Sequence, residues 1–211
     1  MVGVMSTDGL RERKKRETRI ALSWAAVRLV VERGVANVKV EDIAAEAGVS
    51  LRTFRNYFAN KAEAIAARHL DRALEIAEEL RLRPAEEPLW TAIVAAVEDR
   101  FPLGLANGGE EPPDQQWVDG VRLMVAEPSL RGEMLRANAV AEVEMAAAIA
   151  ERTGTDATRD LYPKLVAAAV GAAVTVTMAH WLEADSPLAM KPLLRDALTQ
   201  FSAGLPEPGP R

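Results

Sequence analysis

Arg52, Thr53, Arg55 and Asn56 crowd into the stretch "SLRTFRNYF", residues 50–58. An arginine guanidinium can bond guanine bidentately, and an asparagine amide can do the same to adenine. Threonine offers a hydroxyl to a base or a methyl group to thymine. Phe54 and Phe58 stand four positions apart in the same stretch. On a helix their rings share one side, and the polar groups fall on the other. Tyr57 and Lys61 supply a hydroxyl and an ammonium for phosphate, and Lys39 supplies another ammonium upstream. These are groups suited to reading a nucleic acid. The same pattern also suits an ordinary helical hairpin with a charged face.

Two helices must hold this face in place. In "VEDIAAEAGVS", Val40, Ile43, Ala44 and Ala47 recur at helical spacing and predict a brace helix over 40–47. Gly48 suits a C-terminal position with positive φ, and Ser50 suits the N-cap of the next helix. That second helix is predicted over 51–58, opening at Leu51. A helix-turn-helix sets such a second helix in the DNA major groove while the first braces it on the phosphate backbone. The candidate DNA-contacting set is Lys39, Ser50, Leu51, Arg52, Thr53, Arg55, Asn56, Tyr57 and Lys61.

Charge is distributed to match. The chain of 211 residues has a net charge of −5. Residues 1–68 carry 13 Lys and Arg against 8 Asp and Glu, a net +5. The remainder carries 13 basic and 23 acidic residues, a net −10. A basic third on an acidic body predicts a polyanionic partner for that third alone, although a solvated basic arm would look the same.

Composition narrows the other classes. Hydrophobic residues at 49% and charged residues at 27% fit a globular chain able to bury a core. Without cysteine there are no disulfides or thiolate metal sites, and His69 and His180 are too few for a histidine cluster. No metal or cofactor is expected. No phosphate loop and no nucleophile–histidine–acid set points to an enzyme. The start of the chain turns polar within a few residues, so a cytoplasmic protein is expected. Leu165–Leu182 holds 18 residues without Asp, Glu, Lys or Arg. Its alanine, glycine and threonine content predicts burial between helices, not a membrane span.

The rest of the chain reads as all-α. Helices are predicted over about 12–32, with Ile20, Trp24, Val27 and Val31 inward, and from Asn60 to about Leu82. Others are predicted from Leu89 to about Phe101, Gln115 to Glu127, Ser129 to Arg152, Thr158 to Glu183 and Pro187 to Ser202. Pro102–Asp114 reads as a loop. The domains are predicted as a DNA-binding unit over 1–60, a helical body over 61–204 and a flexible tail over 205–211. The helix after Asn60 would run from one part into the other.

The stretch "VEDIAAEAGVSLRTFRNYFANKAEAI" resembles the DNA-binding signature of the TetR family of bacterial regulators, and the likeness covers roughly Arg19 to Leu70. Three positions depart from the family pattern. Lys39 replaces the usual Thr, Arg55 takes a common Tyr position, and Ile65 stands for Leu. The resemblance implies an all-helical homodimer whose last two helices pair with the partner's. It implies a ligand pocket in the middle helices, for which Trp90, Val94, Val97, Phe101, Trp117, Met124, Met134 and Met145 are candidate linings. Each of these also fits plain core. Arg100, Arg122, Arg131 and Arg136 are candidates for an anionic head group, or simply surface residues. The C-terminal half is diffusely similar to relatives that take fatty acyl thioesters. Together these imply a ligand-responsive regulator, most readily a repressor, that binds a palindromic operator and is released by a small, mostly apolar effector. The alternative is a non-enzymatic helical scaffold whose basic third docks on an acidic protein.

Overall fold

The computed structural model describes residues 7–101 and 111–207, and no strand occurs among them. The helices are α1 (Thr7–Arg33), α2 (Val40–Glu46), α3 (Leu51–Arg55), α4 (Lys61–Leu82), α5 (Leu89–Arg100), α6 (Gln115–Ala126), α7 (Arg131–Thr153), α8 (Leu161–Glu183) and α9 (Met190–Ser202). Short 3-10 turns precede α2, at Val35–Asn37, and α7, at Pro128–Leu130. The all-α class is as the sequence predicts. Most of the loop expected at Pro102–Asp114, and the end of the expected tail, fall at 102–110 and 208–211, outside the described residues.

Helix α1 opens at Thr7, ahead of the predicted start near residue 12, and three other helix ends differ from expectation for local reasons. The reader helix α3 stops at Arg55, because Asn56 and Tyr57 N–H bond carbonyls only three residues back, at 3.1 and 2.9 Å. The eighth helix begins at Leu161, not near Thr158. Asp156 Oδ1 accepts from Thr158 N–H and Oγ1 at 2.7 and 2.6 Å, folding 156–160 into a turn. The last helix begins at Met190, since the Leu188 carbonyl accepts the Trp181 indole N–H at 2.8 Å.

The chain forms two compact units. The first takes the described residues up to Asp71 together with Gly120–Met134. The second takes Arg72–Asp119 and the residues after Met134. Helix α4 therefore contributes its first half to one unit and its second half to the other.

The first unit is built on Leu22, Ala26, Leu29, Val30, Ile43, Phe54, Phe58, Ile65 and Leu130, all buried. The inward face of α1 is thus centred on Leu22, Ala26 and Leu29. The predicted Ile20, Trp24 and Val27 are only half-buried at its margin. Amphipathic stripes wide enough to blur their centre allow such a rotation. Residues of α6 join this unit because Gly120 lets backbones meet. A Cβ there would lie 2.3 Å from the Val31 carbonyl oxygen.

In the second unit, α9 packs against α8 and α5. Leu80, Ile93, Ile149, Trp181, Met190, Leu194 and Leu198 are buried there. Arg152 closes the end of α4 by donating to the carbonyls of Arg83 at 3.1 Å, Glu87 at 2.7 Å, and Pro84. Arg83 donates to Glu87 at 2.6 and 2.8 Å, which holds the Glu87 carboxyl below its ordinary range. Helix α8 is long and apolar enough to cross a membrane by length and composition. Only 39% of its most apolar window is buried, less than the predicted burial between helices implies.

Candidate nucleic-acid interface

Each end of the two short helices has a visible cause. Lys39 precedes α2 but makes no side-chain cap, as an ammonium has no acceptor. Instead its N–H donates to Asp42 Oδ2 at 2.8 Å. After α2, Gly48 takes φ 68°, and Val49 N–H reaches the Ala44 carbonyl at 2.9 Å, a Schellman closure. Ser50 then caps α3, its Oγ accepting from Thr53 N–H at 3.0 Å. Asn60 caps α4 in the same way, accepting from Glu63 N–H at 2.9 Å.

These turns orient the reader. Phe54 and Phe58 are buried, with ring centroids 5.8 Å apart. Arg52, Arg55 and Asn56 are exposed on the other side, as is Lys39 beside α2. Two predicted contacts stand differently. The Thr53 hydroxyl lies 2.8 Å from that of Ser50, so the pair belongs to the cap. Leu51 and Tyr57 are half-buried, and Tyr57 packs on the core. Lys61 departs further. Its ammonium donates to the carbonyls of Val35 at 2.5 Å and Val38 at 2.9 Å, where a phosphate contact was expected. It pins the turn that leads into α2.

Sequence reasoning did not single out several supports of this face. Arg11, Arg13, Lys14, Lys15 and Arg16 are exposed along the start of α1 and extend the positive charge. Arg28 bonds Glu46 at 2.8 Å and ties α1 to α2. Arg19 lies with its guanidinium 5.1 Å from the Phe58 ring centroid, and Arg68 lies 4.7 Å from that of Trp24. The run of basic residues was legible as charge; the partners of Arg19 and Arg68 needed the fold.

The expected pocket linings divide between the units. Trp90, Val94, Val97, Phe101, Trp117 and Met145 belong to the second, while Met124 and Met134 belong to the first. Met124 packs on the core of the first unit. Val97, Phe101 and Met145 are buried, and Trp90, Val94 and Trp117 are half-buried. The buried Arg72, which the sequence did not suggest, lies 4.6 Å from the Phe101 ring centroid. Among the head-group candidates, Arg100 donates to Glu79 at 3.0 Å, and Arg122, Arg131 and Arg136 are exposed. Among the described residues no group of His, Cys, Asp or Glu could hold a metal ion.

With this geometry in hand, comparison with known proteins is specific. Residues 24–67 match the family model described as "Bacterial regulatory proteins, tetR family". Residues 87–206 match one described as "MftR C-terminal domain". The HTH-type transcriptional regulator TcmR of Streptomyces glaucescens is 36% identical over 191 residues, covering 85% of this chain and 80% of that protein. Among solved structures, the fatty acid degradation regulator FadR of Bacillus halodurans has a TM-score of 0.56 at 17% identity, covering 89% of this chain and 96% of that one. SmeT, the repressor of the Stenotrophomonas maltophilia multidrug efflux pump SmeDEF, has a TM-score of 0.54 at 22% identity, covering 91% and 97%. Its complex with triclosan has a TM-score of 0.55 at 22% identity, covering 92% and 100%. At these identities the structures bear on fold alone.

Proposed function

The chain belongs to the TetR family of bacterial transcriptional regulators, and from that premise we propose that it is a repressor which binds a palindromic DNA operator as a homodimer and is released by a small, mostly apolar effector. The observation that carries the DNA reading is the division of the reader segment. Arg52, Arg55 and Asn56 face solvent, while Phe54 and Phe58 fix the opposite side in the core. Arg52, Arg55 and Asn56 contact base edges in the major groove. Lys39 and the basic residues of α1 meet phosphate. Two such readers, related by a two-fold axis, would enter successive major grooves about 34–36 Å apart.

Dimerisation runs through α8 and α9. Support comes from the apolar stripe that α8 leaves exposed: Leu161, Leu165, Ala168, Ala172, Val176 and Ala179. The effector binds in the second unit, where Trp90, Val94 and Trp117 keep partly accessible apolar surface. It releases DNA only if it favours the state that cannot bind. No step of this cycle requires catalysis, and the protein works in the cytoplasm. SmeT, solved with triclosan, offers a precedent for an apolar ligand on this fold.

The test is selection from random duplex DNA by the purified protein. A palindrome with half-sites one helical turn apart is the expected product. Recovery of no sequence preference, with binding abolished by moderate salt, would reject the proposal. Hits from a library of lipids, acyl thioesters and aromatic compounds, found by tryptophan fluorescence, are then retested with operator present. Linkage requires the operator to weaken a true effector by the factor by which that effector weakens the operator.

A further inference from the structure

The reader segment is short and cannot stand alone. Five helical residues, Leu51–Arg55, are far below the length at which an isolated helix persists in water. Its position is therefore set by what holds Phe54 and Phe58. Helix packing supplies most of that, but one polar linkage also reaches it. The Arg19 guanidinium lies 5.1 Å from the Phe58 ring centroid. Its Nε donates to Asp71 Oδ1 at 3.1 Å. Both charged side chains are largely withdrawn from water, at 33% and 12% exposure.

Asp71 is also the last residue of α4 that belongs to the first unit. It lies ten residues beyond Lys61, about 15 Å along the helix axis. One turn earlier on α4, Arg68 lies over Trp24 of α1. So α1 grips this part of α4 at two points, and at one of them the gripping side chain also covers the reader's anchor ring.

We propose that the Arg19–Asp71 ion pair is the latch that sets the reader segment relative to α4, making Arg19 and Asp71 positioning residues for operator recognition. Neither side chain needs to touch DNA. A shift of α4 at Asp71 moves Arg19, and Arg19 moves across Phe58. Loss of the Asp71 charge frees the guanidinium from its fixed orientation. Loss of the Arg19 charge leaves a carboxylate whose second oxygen, Oδ2, is buried without a hydrogen bond. As a statement about operator recognition, the latch rests on the proposed function; as a statement about reader rigidity, it does not.

The experiment compares wild type with Asp71→Asn, Arg19→Gln, the double variant and Arg19→Lys. Amide hydrogen exchange is followed on DNA-free protein, at Tyr57 and Phe58, whose N–H groups bond the Phe54 carbonyl at 2.9 and 3.0 Å. Both single neutral variants are expected to speed exchange at these amides about tenfold while leaving α9 amides unchanged. Affinity for the selected operator should fall about tenfold, and the double variant should be no weaker than the weaker single one. The salt slope should stay at the wild-type value, because no phosphate contact is lost. Arg19→Lys keeps the charge but lacks the planar group over Phe58, so its exchange should be intermediate; it serves as the readout if a neutral variant does not fold. Wild-type exchange at Tyr57 and Phe58 in the folded variants would overturn the latch, whatever the DNA result. Single-variant losses that multiply in the double, or a reduced salt slope in Arg19→Gln, would overturn it as well. If wild type selects no palindrome, the proposed function fails, and the exchange data still decide the latch.

Discussion

Replacing Arg52 or Arg55 with Ala should cost about 1–3 kcal/mol of operator affinity for each arginine that reads a base. Both are exposed on a helix whose other face is buried, so thermal unfolding should not change. Fluorescence anisotropy with operator and with a scrambled duplex separates base reading from charge: a base reader loses preference between the two. Lys39 offers a different test. It occupies the N-cap of α2 without capping it, and it sets a positive charge at the positive end of the helix. Lys39→Thr restores an acceptor and should stabilise the protein by roughly 0.5–2 kcal/mol. If Lys39 meets phosphate, the same change should lower the salt slope of DNA binding by about one. A gain in stability with an unchanged slope would leave Lys39 without a DNA role. Lys61→Met reverses the pattern. It leaves the Val35 and Val38 carbonyls without their donor and should destabilise the first unit by about 1–3 kcal/mol, read as a lower urea midpoint. Residue types and helical spacing placed Arg52, Arg55 and Asn56 on the exposed face, because that pattern is local. They could not place Lys61, whose two carbonyl partners lie more than twenty positions away in sequence.

Among the elements, those with strong local signals were legible. Ser50 and Asn60 cap the helices that the sequence assigned to them, and Gly48 takes the positive φ predicted for it. A cap is a contact within three or four residues, so sequence order contains it. The rotation of α1 was not legible, because alanines on its flanks fit either side of the stripe. The membership of α6 was hidden for another reason. It depends on Gly120 meeting the backbone at Val31, a contact between elements nearly ninety residues apart. Gly120→Ala tests that contact directly. The added methyl would overlap a carbonyl oxygen that cannot rotate away, so α6 or α1 must shift. Overpacking of this kind commonly costs about 1–3 kcal/mol, and backbone contact puts this case at the upper end. Urea unfolding should show a lower midpoint with little change in slope. Gly132, with nothing within 4 Å of its added Cβ, provides the matched control, and Gly132→Ala should be neutral or slightly stabilising.

At the scale of the molecule, the unsettled surface is that of α8. A helix this apolar is ordinarily buried on every side, yet Leu161, Leu165 and Val176 remain 67%, 57% and 65% exposed. Between them lie Ala168, Ala172 and Ala179, also exposed and small enough to let a second backbone approach. Water against such a stripe is unfavourable by about 25 cal/mol for each Å² of apolar surface, and monomers rarely leave a long one uncovered. On the proposed homodimer, a second copy of the same stripe, inverted by a two-fold axis, would cover it with a matching surface. Sequence reading found this segment through its lack of charge but could not assign its faces. Val170 and Ala173 point into the protomer, whereas Ala172 and Val176 point out. That difference makes the prediction sharp. Val176→Arg should abolish the dimer and leave the protomer folded, because its guanidinium stays in water until a partner approaches. Val170→Arg should instead damage the protomer by burying a charge. Light scattering at micromolar concentration, paired with circular dichroism, distinguishes the two. Wild type and a folded Val176→Arg both at dimer mass would place the seam elsewhere, and wild type at monomer mass would reject the dimer. If Val176→Arg is monomeric, a palindromic operator should bind it far more weakly than wild type, while a single half-site should bind both alike. The monomer keeps the reader face intact and loses only its coupling to a second one.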